Sequence, residues 1–326
     1  MKRRRQVLGA LVAAPIAVVS MGLSAQSGPK VPVIGLLDAG ERPEEWDAFR
    51  QRMRDLGYVE GRNVTFAQRY AKGNIEAAGT MAKELAQQKV AVIVTAGAAA
   101  ALAAQRATST IPIVMGSGAD QVGLGLAESF GKPGGNITGV SSFTPDLMAK
   151  RVELLKGLVP TSTRLAALWH RDNVSSMASV RELDSAAAKL GVGFQSFGVA
   201  NAAGFEDAFA AMVRQRVEAL VVVNAPLMFL ERRKVATLAL KSRLPGVYGS
   251  TEYVDAGGLI AYGPSYPDLF RHAANYVDKI LKGANPGDLP IELPTTFELS
   301  INAKTARALD VSIPPSILAR ADHVVQ

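Results

Sequence analysis

The chain has 326 residues, 48% of them apolar, which is enough for two packed domains. Because it contains no cysteine, disulfides, thiolate catalysis and cysteine-based metal sites are excluded. The net charge is +7, but the stretch 2–5 (KRRR) supplies four of those charges well before the first acid, Asp38. The remaining positive charge is spread without long runs, which excludes the clustered basic face of a nucleic-acid-binding protein.

Residues 1–27 predict a secretory signal peptide, because a basic start precedes an apolar stretch at 7–23 and then small polar residues. A membrane anchor is the alternative interpretation, since the apolar stretch nears the length that spans a bilayer. Pro15, Ser20 and the content of alanine and glycine argue against it.

Arg4 and Arg5, followed by Gln6 and two apolar residues, fit a twin-arginine export signal, although the Sec route remains possible. We expect cleavage after Ala25 or Ser27. Without cysteine no lipid anchor can form at the cleavage site. The sequence therefore predicts a soluble protein of the bacterial periplasm.

The first half of the chain alternates between predicted strands and helices. In order, these are a strand at 31–37, a helix from 43 that ends at Gly57, a strand at 63–70, a helix at 75–88, a strand at 90–97, a helix at 98–107 and a strand at 111–116. Trp46 lies on the apolar stripe of the first helix and is expected in the core. Because the strands are apolar on both faces, the pattern predicts a parallel sheet covered by helices on both sides.

The same rhythm restarts after residue 143. It predicts a strand at 164–170, a helix at 174–190, a strand at 191–199, a helix at 204–216, a strand at 219–224, a helix at 227–242, strands at 246–250 and 258–263, a helix at about 266–282, and an irregular proline-rich tail. Residues 87–97 and 214–225 resemble each other. This similarity suggests two lobes of similar build.

The glycine-containing loop Gly116–Asp120 follows a predicted strand, where parallel sheets bind ligands. It is not a Walker motif, because no Gly-Lys-Ser/Thr follows. It is not a dinucleotide fingerprint, because Gln121 stands where the third glycine is required. We expect this loop to form one wall of a cleft whose backbone N–H groups could hold a carboxylate.

The sequence shows no catalytic or metal-binding pattern. His170, His272 and His323 lack metal-ligand spacing, and the stretch 139–143 (GVSSF) fails as a nucleophile elbow at its last glycine. Acids and bases distant in sequence can still converge in space, so an enzyme remains an alternative.

Several stretches resemble one known family. They are "VPVIGLL" (31–37), "LGYVEGRNV" (56–64), "IPIVMGSGADQVGLGL" (111–126), "KPGGNITGVS" (132–141), "AKRVELLKGLVPTSTRLAAL" (149–168), "AGGLIAYGPS" (256–265) and "TFELSINAKTARALDVSIPPSILARAD" (296–322). The chain resembles the periplasmic substrate-binding proteins of ABC importers, in the group that includes tryptophan- and tyrosine-binding members.

This resemblance implies an α/β fold of the type I periplasmic binding protein class: two doubly wound parallel-sheet lobes joined by a three-segment hinge, with ligand held between them. It implies an N-terminal lobe of 28–142 plus about 263–286, and a C-terminal lobe of 143–262 plus about 287–326. The chain departs from the expected family pattern at 169–173 (WHRDN), 224–226 (NAP) and 251–252 (TE). The ligand of any one member therefore cannot be carried over.

If the strand-end loops of the two lobes face each other, they supply the ligand-binding residues. From the first lobe these are Asp38, Thr95, Gly97, Ala98, Ser117, Gly118 and Asp120; from the second they are Trp169, His170, Asn173, Asn224, Glu252 and Tyr253. They offer N–H and hydroxyl donors for a carboxylate, an acid for an ammonium and an aromatic wall. The alternative interpretations are helix caps for Asp120 and Asn173, a core position for Trp169 and a solvated loop for Glu252.

The resemblance thus predicts a binding protein that captures an amino acid or related small carboxylate and delivers it to an ABC transporter permease. We expect a monomer with no catalytic residues, metal, cofactor or nucleic-acid partner. A periplasmic α/β enzyme and a ligand-sensing domain for a membrane receptor are the alternatives.

Overall fold

The computed structural model describes residues 31–118, 120–142 and 146–326. The predicted signal peptide, 1–27, lies outside the described residues. Strands and helices alternate along the chain and form two sheets, which define a first and a second lobe. The alternation predicted from the sequence is confirmed in both halves.

The first lobe contains a five-stranded, wholly parallel sheet in the order β2-β1-β3-β4-β5. Its elements are β1 (Val33–Asp38), α1 (Pro43–Asp55), β2 (Thr65–Tyr70), α2 (Ile75–Gln87), β3 (Val92–Ala96), α3 (Ala98–Ala107), β4 (Ile113–Ser117) and β5 (Ile137–Gly139). Apolar clusters cover both faces of this sheet, as its buried β1, β3 and β4 require.

The second lobe contains a seven-stranded sheet in the order β12-β11-β10-β9-β8-β6-β7. Its elements up to the next crossing are α4 (Leu147–Leu158), β6 (Arg164–His170), α5 (Ser176–Lys189), β7 (Gly193–Val199), α6 (Phe205–Arg214), β8 (Ala219–Val222), α7 (Pro226–Leu230), α8 (Arg232–Lys241), β9 (Gly246–Tyr248), α9 (Thr251–Asp255) and β10 (Ile260–Pro264). The order β7-β6-β8-β9-β10 repeats the winding of the first sheet, which agrees with two lobes of similar build.

The last part of the chain returns to the first lobe and then to the second. Its elements are α10 (Tyr266–Leu281), β11 (Phe297–Asn302), α11 (Ala303–Ala308), α12 (Pro315–Leu318) and β12 (His323–Val325). Helix α10 packs against α1 and β4, with the rings of Phe270 and Trp46 4.9 Å apart. Strand β11 pairs antiparallel with β10. The chain therefore crosses between the lobes after β5, after β10 and before β11, while the lobe boundaries given above stay a prediction.

The prediction of an irregular proline-rich tail is wrong. Phe297, Leu299 and Ile301 alternate with polar residues along β11, which completes the second sheet by pairing with a distant strand. In this tail, the prolines lie before β11 and at the start of α12, where a missing backbone N–H costs no helical hydrogen bond. Its antiparallel direction also makes the second sheet mixed rather than wholly parallel.

The single helix predicted at 227–242 is also wrong, because the structure has α7 and α8 with a break at Glu231. At this break the Arg232 guanidinium donates a hydrogen bond of 2.9 Å to the carbonyl of Phe229. Strand β5 and helix α4 were not predicted. Among the described residues, no helix is both long and apolar enough to cross a membrane.

Candidate functional site

A cavity of about 90 Å³ lies between the two lobes, at the carboxyl ends of the parallel strands. This is several times the roughly 10–15 Å³ that one water needs. The described residues that line it are Arg42, Gly97, Ala98, Ser117, Gly118, Ser142, Leu147, Met148, Arg151, Asn173, Ser175, Ser179, Asn224, Ala225, Pro226 and Tyr266. Both lobes and the crossing segments therefore contribute to one site.

The first-lobe wall is formed where β3 and β4 end. Gly97 precedes α3 with a φ of 88°, a left-handed conformation that glycine adopts without strain. Its N–H donates to the carbonyl of Ser117 at 3.1 Å. No side chain caps the N-terminus of α3, so the first N–H groups of this helix are available at the wall that Gly97 and Ala98 form.

The first crossing segment is fastened to this wall through the Gly118 carbonyl. The hydroxyls of Ser141 and Ser142 donate to it at 3.3 and 3.0 Å, and the side-chain amide of Gln121 donates at 3.4 Å. These bonds hold Ser142 at the cavity. They also give Gln121, which breaks the dinucleotide fingerprint, a structural role.

The second-lobe wall begins in the turn between β6 and α5. The side-chain oxygen of Asn173 accepts from the N–H of Ser175 and from the hydroxyl of Ser176, at 3.1 and 3.2 Å. The Ser175 hydroxyl is buried without a hydrogen-bond partner among the described residues and lines the cavity with Ser179. No side chain caps α5, so a second open helix N-terminus lies at the cavity.

Arg151, on α4, places a buried guanidinium at the cavity. Its Nε donates to the carbonyl of Tyr262 at 2.8 Å, and its Nη1 lies 3.8 Å from the sulfur of Met148. No carboxylate of the described residues lies within 4.0 Å of it. Burial lowers its pKa to about 10. Arg151 is therefore a buried cation at the cavity wall, with no acidic partner among the described residues.

Arg42, in the loop before α1, is the second arginine at the cavity and is surrounded by acids. Its guanidinium lies 4.0 Å from Asp38 and 3.7 Å from Glu45. Burial alone would lower the pKa of Arg42, but Glu45 and Asp38 raise it above its usual value. Burial raises the pKa of Glu45 to about 7 and raises that of Asp38 against the opposing effect of Arg42.

Arg42 also connects the lobes. Its guanidinium carbon lies 4.9 Å from the ring centre of Phe229 on α7 and 5.4 Å from that of Tyr266. The hydroxyl of Tyr266 accepts from the side-chain amide of Asn224 at 2.8 Å. Residues of the first lobe, the second lobe and the second crossing segment are thus in contact at one end of the cavity.

Six of the residues predicted to bind ligand line this cavity among the described residues: Gly97, Ala98, Ser117, Gly118, Asn173 and Asn224. The structure therefore brings together the β3–α3, β4, β6–α5 and β8–α7 loops, as expected of strand ends. Their contact with a ligand stays a prediction.

The other first-lobe candidates lie outside the lining. Asp38 is fully buried and accepts from the N–H of Gly40 and from the indole of Trp46, at 2.7 and 2.9 Å. Thr95 is fully buried within β3. Asp120 accepts from the N–H of Gly123 at 2.9 Å. It therefore caps a turn, and not a helix as its alternative interpretation proposed, because no helix begins after it within 120–142.

The other second-lobe candidates are also outside the lining. Trp169 packs against the core cluster and the backbone of Gly198. His170 is buried against the carbonyl of Ala200, and burial lowers its pKa. Tyr253 is fully buried and stacks on Tyr248 at 5.0 Å.

Glu252 lies on the short helix α9 rather than in a loop. One of its carboxylate oxygens is buried without a hydrogen-bond partner among the described residues. The carboxylate helps to raise the pKa of Arg42. Glu252 therefore helps to keep Arg42, which lines the cavity, in its charged form.

Sequence reasoning missed both arginines. In α4, Arg151 shares one helical face with Leu147, Leu154, Leu155 and Leu158, all buried. An arginine inside an apolar stripe is unusual on a solvated helix, so this spacing could have identified it. Arg42 precedes Pro43 at a helix start and carried no comparable signal.

No group of three or more histidine, aspartate or glutamate residues in the described part of the chain is arranged to hold a metal ion. The site is instead built of guanidinium groups, hydroxyls, amides, open helix N-termini and a few apolar side chains. This arrangement suits recognition of a small polar molecule.

Comparisons with known proteins agree with this fold. A tyrosine-binding protein of Clostridioides difficile is 27% identical over 81% of this chain and 75% of its own length. A domain from Streptococcus pneumonia in complex with L-Trp is 27% identical, with a TM-score of 0.86 over 91% of this chain and all of that one. A ligand-free, open substrate-binding protein from Clostridium difficile, 24% identical over 91% of this chain and all of that one, gives a TM-score of 0.67.

More distant structures share the fold alone. One of them, a leucine-binding protein of Thermotoga maritima, is 13% identical and gives a TM-score of 0.56 over 79% of this chain and 78% of its own. The predicted type I periplasmic binding fold is therefore confirmed. The family model for ABC transporter substrate-binding proteins matches residues 30–325. This two-lobed chain, matched over almost its whole length, belongs to the ABC transporter substrate-binding protein family.

Proposed function

We propose that this protein is exported to the periplasm, binds an amino acid or a related small carboxylate as a monomer, and passes it unchanged to an ABC permease. The tyrosine named for one relative and the L-Trp bound to another support an amino-acid-like ligand. The departures at 169–173, 224–226 and 251–252 fall in or next to the site, so the ligand need not be either of these.

The observation that carries the proposal is the enclosure of one cavity by both lobes. Ser117 of the first lobe and Asn173 of the second line the same volume, and Arg42 contacts Phe229 across the interface. A ligand that contacts both lobes stabilises the arrangement in which they are close, because it binds that arrangement better than a separated one. Closure would then signal occupancy to the permease.

The chemistry of the lining supports binding rather than catalysis. None of the described lining residues is a histidine, aspartate or glutamate, the side chains that most often act as general bases. His170 lies outside the lining, and its Nε2 is engaged by the Ala200 carbonyl. A sensory domain would use the same capture step, and only the permease partner separates it from a transport protein.

A thermal-shift screen over amino acids and small organic acids tests the proposal. A ligand at about 100 times its Kd adds about 2.7 kcal/mol to the free energy of unfolding, which raises the melting temperature by several degrees. Hits are measured by titration calorimetry. If no amino acid or organic acid shifts the melting temperature, the proposed ligand class is wrong.

A pair of substitutions on α5 locates the binding. Ser179 lines the cavity, whereas Met177 is exposed on the same helix. We expect Ser179→Trp to fill part of the cavity and abolish binding, and Met177→Trp to leave it intact. Equal binding by both variants would place the ligand elsewhere.

A further inference from the structure

Arg151 is the one buried arginine of the cavity for which the structure provides no acid. Arg151 is 2% exposed to solvent. The groups that its guanidinium contacts are a backbone carbonyl and a thioether sulfur. Arg42, the other lining arginine, has both Asp38 and Glu45 close by. The two guanidinium groups therefore differ in one respect: one is neutralised by the protein and the other is not.

A buried cation without a countercharge is unfavourable, because desolvation is not repaid by attraction to an opposite charge. The pattern of α4 makes the position of Arg151 more unusual, since its helical neighbours on that face are leucines. A side chain needed only to bond the Tyr262 carbonyl would not require a full charge. The charge suggests a partner that comes from outside the chain.

The rest of the lining points to a partner of the same sign. The N-termini of α3 (10 residues) and α5 (14 residues) both open at the cavity without a side-chain cap. Free N–H groups and the helix dipole there favour negative charge. The hydroxyls of Ser117, Ser175 and Ser179 add donors, and no acid is present among the described lining residues.

We propose that Arg151 is the ligand-binding residue that pairs with a carboxylate of the bound molecule, and that this carboxylate is the group the site requires. The inference rests on the proposed function and deepens it, because it names the charged group that is recognised and the residue that recognises it. The described lining residues include no acid for a ligand ammonium to meet, so the ammonium contributes less than the carboxylate.

The test uses the purified full-length protein and titration calorimetry with four carboxylates: L-tryptophan, L-tyrosine, indole-3-propionate and benzoate. Arg151→Met keeps a long apolar side chain and removes the charge. We expect its affinity for each carboxylate that the unsubstituted protein binds to fall at least 30-fold, the effect of losing one partner of a buried charge pair. Arg151→Lys, which keeps a point charge but not the planar fork, should retain part of the affinity.

Lys150→Met is the matched control, because it removes one positive charge from the neighbouring position of the same helix. Lys150 is partly exposed and pairs with Glu153 at 2.8 Å. We expect its affinity to stay within about twofold of the unsubstituted protein. A loss equal to that of Arg151→Met would show a general electrostatic effect and overturn the proposal.

A second measurement does not depend on any variant folding. Tryptophanamide, tyrosinamide and benzamide have the same shapes as three of the probes but lack the negative charge. The unsubstituted protein should bind each carboxylate at least 30-fold more tightly than its amide, and indole-3-propionate should bind although it has no ammonium. In Arg151→Met the preference for carboxylate over amide should collapse, which a purely structural arginine would not cause.

The outcomes separate this inference from the proposed function. If no carboxylate or amide binds, the proposed ligand class fails and this inference fails with it. If probes bind but amides bind as well as carboxylates, or Arg151→Met binds carboxylates as well as the unsubstituted protein, the binding function stands and the role of Arg151 is wrong.

Discussion

The guanidinium of Arg42, on the first lobe, lies 4.9 Å from the ring centre of Phe229, on the second. A separated arrangement of the lobes would lose this contact, since Arg42 precedes α1 of the first lobe and Phe229 lies on α7 of the second. It couples the charge cluster of Asp38, Arg42 and Glu45 to the arrangement of the lobes. The energy of such a contact is about 0.5–2 kcal/mol.

Removing this contact should weaken ligand binding more than it weakens the fold. We expect Phe229→Leu to lower affinity by roughly 2- to 30-fold, the equivalent of that energy, because the closed arrangement loses one of its contacts. Calorimetry measures the affinity. The control is Phe66→Leu, since Arg50 lies 5.7 Å from the Phe66 ring within the first lobe. If both variants lose affinity alike, the contact does not act through closure.

Glu45 should make stability depend on pH. Burial raises its pKa from 4.5 to about 7, an effect that Arg42 only partly opposes and that Glu252 and Asp38 reinforce. The native protein therefore keeps a proton that the unfolded chain releases near pH 4.5. The stability due to this proton is full below about pH 4.5 and is lost as the pH rises through about 7.

We accordingly expect the melting temperature to fall between about pH 4.5 and 7. Glu45→Gln should flatten this slope, because it removes a pH-dependent contribution of about 1–3 kcal/mol to the free energy of unfolding. Glu44→Gln is the control, because Glu44 is exposed on the same helix. A slope unchanged in Glu45→Gln would assign the effect to another group.

Intrinsic fluorescence should report ligand binding through Trp46 rather than Trp169. The Trp46 indole donates to Asp38 at 2.9 Å, and Asp38 lies beside Arg42 at the cavity. Trp169 instead packs on Gly198 outside the lining. We expect Trp46→Phe to remove most of the ligand-induced change and Trp169→Phe to leave it. The reverse result would place the turn after β6 in contact with the ligand.

Arg4 and Arg5 should decide the export route. If the twin-arginine route is used, changing both to lysine should block export and leave the precursor in the cytoplasm. Immunoblots of periplasmic and cytoplasmic fractions measure this. Normal periplasmic levels in the variant would identify Sec as the route instead.

Much of the fold could be predicted because its strands are local, apolar runs. The buried stretches around β1, β3, β4, β6 and β8 stand out from their helical neighbours, and parallel pairing follows from their burial on both faces. Strand β11 could not be predicted in this way. Its partner, β10, is separated from it by α10, so its pairing depends on a contact that periodicity does not show.

The site was only partly predictable for a different reason. Loop positions such as Gly97 and Asn173 follow from topology, because strand ends meet at one edge of a sheet. The buried charge of Arg42 does not follow from topology, because in the sequence it resembles a solvated side chain before a helix. That of Arg151 is indicated only by its place in the leucine stripe of α4. Trp169 and Asp38 sit at strand ends too, but side chains there alternate between the cavity and the interior.

The route of the chain between the lobes has a consequence for biosynthesis. The first sheet is complete by β5, yet the core between α1 and this sheet lacks α10 until that helix is made, and the second sheet lacks β11 and β12 until residues 297–325 are made. During synthesis the first lobe therefore waits for α10, and the second lobe waits for β11 and β12. We expect this delay to leave time for a chaperone or the export machinery to engage the nascent chain.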